Sequence, residues 1–425
     1  MDAAPNRQIE RVHVIFKTHL DIGFTDLARA VTRRYMEEFI PQALATAEQL
    51  RAQGRDRFIW TTGAWLIWEY LQQATPEQRA RLERAIAAGD IAWHALPFTL
   101  HSELTDADLF AFGISMARDL DARFGRRTIA AKMTDVPGHT RAIVPILAAA
   151  GVQLLHIGVN AASHPPDVPD TFTWRDPSGA ELIVMYQRGG YGDVSIVPGL
   201  SDVLAFAHTD DNRGPQSAEV VVAQFAALRE RFPGADVRAS TLDAFAARLL
   251  AANPELPVVV DEIGDTWIHG AGSDPAKISR FRELSRLRRG RLEAGLVAPD
   301  DPRLADCSRN LLLVAEHTWG LDEKTHLADY TSYTREQLAT ARSQPHFQQF
   351  ESSWAEQRLY LRDAVDALDG LPLAEQARRH LAALTPQQPD WNALQRVPSG
   401  QQSLQLGATG VRWNDQSVTL AFGQA

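Results

Sequence analysis

The stretch "VHVIFKTHLDIGFTD" at residues 12–26 writes a run of apolar, β-branched residues and then places Lys17, His19, Asp21 and Asp26 close together. Residues two apart in an extended segment point to the same side, so His19 and Asp21 can aim at one point beyond the strand. An imidazole and a carboxylate suit zinc, a borderline ion that accepts nitrogen and oxygen donors. The same pair also serves as a His–Asp hydrogen bond at a solvated loop or as a buried ion pair, and the spacing alone does not choose.

Other segments offer groups of the same kind. "AAKMTDVPGHTRAIVPILAAAG" ends a strand at Asp135, with Pro137-Gly138 turning the chain. A carboxylate there can ligate a metal, attack a substrate or cap the following helix. In "FAHTDDNRGPQS" (206–217) the adjacent Asp210 and Asp211 cannot point the same way. One can serve a site while the other caps or pairs with Arg213, or both can lie in a solvated turn. "VVVDEIGDTWIHGAGSDP" (258–275) follows an apolar run with Asp261, Glu262, Asp265, Trp267 and His269 among glycines. Polar groups around an aromatic platform resemble a sugar-binding wall, although a lone Trp is more often core. "LLLVAEHTWGLDEKTH" (311–326) sets His317 after an apolar helical run, the usual place of a satisfied core histidine, and "WHALPFTLHSE" (93–103) adds His94, His101 and Glu103.

Short β-branched runs must position these groups. "RVHVIF", "RFIWTT", "IAWHALPF", "IAAKMTD", "LLHIGVN", "ELIVMYQ", "DVRAST" and "LPVVVDE" alternate with helical patterns over roughly the first 270 residues. The alternation predicts βαβ units in an α/β fold with a mainly parallel sheet, and polar residues after several strands favour a barrel with its chemistry at the C-terminal strand ends. From about residue 276 to 385 the spacing is helical without strands and reads as a bundle. Residues 386–425 are rich in Pro, Gln and Ser, then end in the strand-like "VRWNDQSVTLAFG".

The totals narrow the chemistry. The 425 residues are 45% hydrophobic and 23% charged, ordinary values for a globular protein. A net charge of −10 argues against nucleic acid or an anionic membrane as partner, and the one basic run, "RFRELSRLRRGR", reads as a solvated helix face. With Cys307 as the single cysteine, a metal site must use His, Asp or Glu. The N-terminus has no apolar signal core, so the expected compartment is the cytoplasm.

The order HLD, TDVPGH, HTDDNRGP, IGDTWIHGAGSDP and AEHTWG resembles glycoside hydrolase family 38, the zinc-dependent retaining α-mannosidases, over about residues 11–330. It looks closest to a divergent bacterial branch. The resemblance implies a (β/α)7 barrel over 1–275, a helical bundle over 276–385 that completes the site, and, in 386–425, a linker and the first strands of a truncated β-domain. It implies Zn2+ held by His19, Asp21, Asp135 and His317, with Asp135 also the nucleophile. Asp210 and Asp211 match the family's paired aspartates, Asp211 as acid/base. Glu262, Asp265, Trp267, His269 and Trp319 would line the sugar site, and the partner would be a carbohydrate substrate, with a homo-oligomer left open. Leu20 stands where the family usually has Trp, and Thr318 where it has an aspartate that grips a sugar hydroxyl. Competing readings are a metal-dependent carbohydrate deacetylase and a non-catalytic sugar-binding protein.

Overall fold

The computed structural model describes residues 8–54, 56–264, 267, 270–327 and 333–388, and the backbone of strands at 402–406, 409–413 and 418–421. In chain order the strands are β1 (Arg11–Thr18), β2 (Trp60–Gly63), β3 (Ile91–His94), β4 (Ala130–Asp135), β5 (Leu154–Val159), β6 (Thr171–Arg175) and β7 (Glu181–Gln187). They continue with β8 (Val194–Ile196), β9 (Asp202–Thr209), β10 (Asp236–Ala239), β11 (Val258–Val259), β12 (Gln402–Leu406), β13 (Thr409–Trp413) and β14 (Val418–Ala421). The chain forms two compact units, Met1–Leu381 and Ala382–Ala425, the smaller built on the antiparallel meander β12–β13–β14.

β1 is buried from Val12 onward, as a strand covered on both faces must be. Val12, Val14 and Phe16 pack outward with helix residues such as Leu44 and Phe225. Ile15 faces the other way, into an inner cluster with Ala130, Leu154 and Leu204 of three other strands. Helices therefore cover the outside of the strands, while side chains from several strands meet inside.

The strands of the larger unit fall into two sheets, ordered β3-β2-β1-β9-β8, with β10 beside β1, and β11-β6-β7-β5-β4. Within them β3, β2, β1 and β9 run parallel, as do β4, β5 and β7. A backbone hydrogen bond from Ala95 N to Ala130 O, 2.9 Å, links the end of β3 to the start of β4. The expected seven-stranded barrel is not found closed among the described residues. β7 and β9 are the strands that would have to meet, and their remaining edges are paired with antiparallel β6 and β8. β6, β8 and β9 were not legible in the sequence pattern, whereas "LPVVVDE" yields only the two-residue β11.

The first long helical pattern is interrupted by a π-helical turn, Tyr35–Phe39, between Ala28–Arg34 and Ile40–Gln53. Pro41 has no N–H to close the regular bond, which widens the turn before it. Beyond residue 275 come the helices Pro275–Glu293, Pro302–Val314, Pro345–Asp366 and Pro372–Ala383, each starting at a proline, where its missing N–H is harmless. Pro302–Val314 packs on Pro345–Asp366 and on Ala107–Phe124. No helix among the described residues is long and apolar enough to cross a membrane.

Asp243, at the start of the helix Leu242–Ala252, accepts hydrogen bonds from Ile129 N (2.8 Å) and Ala130 N (2.9 Å), tying that helix to β4. Burial pushes its pKa up to about 6 against the pull of those bonds. The folded state thus binds this proton more tightly than the unfolded chain, whose value is about 3.9. Its stabilising contribution is full below about pH 4 and is lost as pH rises through about 6. Asp243→Asn is expected to remove this slope, so that its urea-unfolding free energy gains about 1–3 kcal/mol on the wild type between pH 4 and pH 8. Parallel pH profiles for the two proteins would refute it.

Candidate metal centre and active site

His19 follows β1 directly, and its N–H donates to Thr209 O at 3.2 Å. The β1–β9 register, with Lys17 opposite His208 and Thr18 opposite Thr209, thereby brings His19 and Asp21 beside Asp210–Asp211. Asp135 closes β4 with φ of 81°, a left-handed conformation rarely adopted by residues other than glycine. Asn160 holds it there, donating from its N–H to Asp135 O (2.8 Å) and from Nδ2 to Oδ1 (2.9 Å). His317 lies beyond the end of the helix Pro302–Val314 rather than on it. Its segment pairs with the chain after β3 through His101 N to Ala315 O (2.9 Å) and His317 N to Thr99 O (3.3 Å).

These elements bring four side chains to one point. Asp21 Oδ1 lies 3.0 Å from both His19 Nε2 and His317 Nε2. The two imidazole nitrogens are 3.2 Å apart, and Asp135 Oδ2 is 3.5 Å from His317 Nε2. Asp211 also comes within metal-sharing distance of His19 and Asp21. His19, Asp21, Asp135 and His317 are all buried. Burial alone would raise the Asp21 carboxyl, but the His19 and His317 imidazoles pull it far below the ordinary range. Burial works against a charged His317, yet Glu316 and Asp21 raise it well above the usual histidine value. Asp211 is pushed upward by burial and then by the Asp21 carboxylate.

Supporting residues that the sequence reading missed hold this arrangement. Asn212, buried and left-handed at φ 53°, is the clamp. Its Nδ2 donates to Asp21 O, Gly23 O and Thr25 Oγ1, its Oδ1 accepts from Asp21 N, and its own N–H donates to His19 O. Tyr35, from the π-helical turn, donates its hydroxyl to His19 O at 3.1 Å. Glu316 Oε1 sits 2.7 Å from His317 Nδ1, orienting the ring as a carboxylate behind a ligating histidine does. Thr318 turns away from the cluster, bonding Glu316 (2.5 Å) and Ile22 O (3.1 Å). Tyr191 donates to Asp211 at 3.1 Å; burial, then the charges of Asp135 and Asp211, raises its phenol. The signals were present: Asn tolerates left-handed turns, and Tyr191 stands among glycines after a strand.

The remaining expected residues divide. Asp210 is exposed and lies 3.9 Å from Arg213, so only Asp211 of the pair enters the cluster. Glu262 is exposed and accepts from Arg141 N. Trp267 is half-buried. Trp319 packs tightly on Gly270, has Lys277 Nζ 4.7 Å from its ring centroid, and donates to His101 at 3.2 Å. Asp265 and His269 lie outside the described residues. A cavity of about 600 Å³ opens beside the cluster, lined by Asn160, Tyr191, His208, Asp211, Gln216 and Gln224.

Residues 10–239, more than half of the chain, match the family model described as the glycosyl hydrolases family 38 N-terminal domain. The chain belongs to glycosyl hydrolase family 38. Residues 271–420 match a second model, a domain of unknown function (DUF5054). Among solved structures, the chain is similar to an alpha-mannosidase from Enterococcus faecalis V583, with 13% identity, a TM-score of 0.59, and coverage of 88% of this chain and 43% of that one. A second, a protein in glycosyl hydrolase family 38 from Enterococcus faecalis, shares 11% identity at a TM-score of 0.51, over 85% of this chain and 40% of that one. The family 38 chain described here thus spans less than half the length of either structure, and at these identities the likeness speaks for the fold alone. No curated protein matches it.

Because Asn212 satisfies several buried backbone groups of the His19–Thr25 loop, Asn212→Ala is expected to lower unfolding stability by about 2–3 kcal/mol in urea. A loss below about 0.5 kcal/mol, the scale of a neutral surface change, would mean that the loop holds itself.

Proposed function

We propose that this chain is a zinc-dependent retaining glycoside hydrolase acting on α-mannoside-like substrates, with Asp135 as nucleophile and Asp211 as acid/base. The observation that carries the reading is the convergence of two imidazoles and three carboxylates at parallel strand ends in a family 38 chain. The α-mannosidase from Enterococcus faecalis V583, similar in fold, supports the substrate class.

His19, Asp21, Asp135 and His317 would hold the zinc. The donor set fits: two nitrogens and two carboxylates suit a tetrahedral site, and the buried Asp21 Oδ2 has no hydrogen-bond partner in the protein. Zinc bound there supplies positive charge that favours ionised carboxylates and a template for sugar hydroxyls.

The chain's own groups divide the acid and base roles. Asn160 occupies Asp135 Oδ1 and leaves Oδ2 toward the cluster, available to attack the anomeric carbon. Asp211, raised by burial and by Asp21, is suited to carry the proton that the leaving oxygen receives. In the second half, Asp211 takes a proton from water as that water displaces Asp135 from the sugar. The Tyr191 hydroxyl donates to Asp211 Oδ1 and fixes the orientation of that carboxyl beside the cluster. The neighbouring cavity, which Asp211 lines, would receive the sugar or its leaving group.

Asp211→Asn is expected to slow turnover of an alkyl α-mannoside at least ~100-fold, the usual scale of general-acid catalysis, while an activated aryl α-mannoside still releases its phenol. A 2-deoxy-2-fluoro glycosyl fluoride should label Asp135, read by peptide mass spectrometry. Equal rates on both substrates in the variant, or release of acetate from acetylated sugars without any labelling, would overturn the reading.

A further inference from the structure

Below the metal cluster, the inner face of the strands changes from apolar to basic. Ile15, Ala130, Leu154 and Leu204 face the inner cluster. Strand alternation then turns Lys17 of β1, Lys132 of β4, His156 of β5 and His208 of β9 to the same interior. Lys17 stands opposite His208 on one side and Thr61 on the other, while Lys132 stands opposite His156. His94, paired with Gly63, lies on the same face two residues further along.

These groups are deeply buried: Lys17 is 6% exposed, Lys132 1%, His94 2% and His156 0%. Lys132 Nζ donates to Tyr191 O at 2.6 Å and lies 3.2 Å from His156 Nδ1 and 4.5 Å from the Phe206 ring centroid. Lys17 Nζ reaches the carbonyl of its neighbour Thr18 at 3.4 Å. Among the described residues neither lysine has a carboxylate in ion-pair contact. His94 Nδ1, Thr61 Oγ1 and Thr134 Oγ1 are buried without a hydrogen-bond partner.

Buried polar groups without partners call for an ion or an ordered water, and a buried ammonium calls for an opposite charge. Burial, and then the charge of Lys17, lowers the Lys132 pKa well below its ordinary value, so the ammonium form is disfavoured in this layer as it stands and an anion placed between the lysines would favour it. We infer that this inner layer binds a small inorganic anion, a halide of chloride size, between Lys17 and Lys132, with Thr61, Thr134 and His94 as further donors. A monoatomic anion needs donors from all sides and no acceptors, which is what ammonium and hydroxyl groups supply.

The bound ion would also act on the site above. Lys132 holds Tyr191 O, and Gly158 allows that approach, since a Cβ there would meet Tyr191 O at 2.2 Å. Fixing Lys132 therefore fixes the loop whose phenol donates to Asp211.

The test uses the full, metal-loaded chain. Crystals soaked in sodium bromide should show an anomalous peak within hydrogen-bonding reach of Lys17 or Lys132 Nζ. In solution, Tm should be higher in chloride than in methanesulfonate at equal ionic strength, and Lys132→Met should lose that difference. No peak in this layer overturns the inference and makes water the partner. A peak with no difference between wild type and Lys132→Met in solution also overturns it, as binding at crystal concentration only. If Lys132→Met does not fold, the position of the bromide peak in wild type decides.

Discussion

Three carboxylates brought together out of water repel one another, and that repulsion is the constraint on which the site depends. Asp21, Asp135 and Asp211 meet at the strand ends with His19 and His317 between them. Such a cluster persists only if positive charge lies within it, carried by imidazolium, by a metal ion or by both. The opposite shifts at Asp21 and Asp211 follow from it. The carboxylate in contact with both imidazoles is held ionised, and the one at the margin is pushed toward its neutral form. That separation of two chemically identical groups is what acid/base work at one site requires.

The fold serves this cluster by supplying rigid ends. β1, β4 and β9 each deliver acidic or imidazole groups where the strand stops, and the helix Pro302–Val314 delivers His317 just past its own end. Between these deliveries, small specific bonds set the geometry. Asn212 ties the loop after β9 to the loop after β1, Asn160 pins Asp135 in its left-handed conformation, and Glu316 orients His317. Asn212 and Glu316 are buried and Asn160 is half-buried, and removing such groups would leave their partners unpaired.

Much of this was legible in the sequence because strand ends announce themselves. A β-branched run followed by His19 and Asp21, or by Asp135 and a Pro-Gly turn, places polar groups where a parallel sheet collects chemistry. The strand under Asp210–Asp211 was harder to see. "DVLAFAHT" passes into "DDNRGP", whose turn-forming residues dominate the local signal, although the strand itself is buried against β1. Whether Asp210 or Asp211 enters the site depends on the turn held by Asn212, a three-dimensional fact that spacing does not encode. Barrel closure was likewise beyond the pattern, because the antiparallel strands β6 and β8 that pair with β7 and β9 are only five and three residues long and no local signal says which strand edge each will take. Trp319, which the family resemblance puts in the sugar site, has Gly270 and Lys277 packed against its ring, contacts between distant segments that spacing does not encode.

The most direct measurement is the metal content of the purified chain by mass spectrometry, beside His317→Ala and a surface control such as Arg213→Ala. About one zinc per chain is expected in the wild type and the control, and almost none in His317→Ala while that variant remains folded by circular dichroism. Equal zinc in all three samples, or none in the wild type even after zinc is supplied, would contradict the assignment of His19, Asp21, Asp135 and His317 as a metal centre.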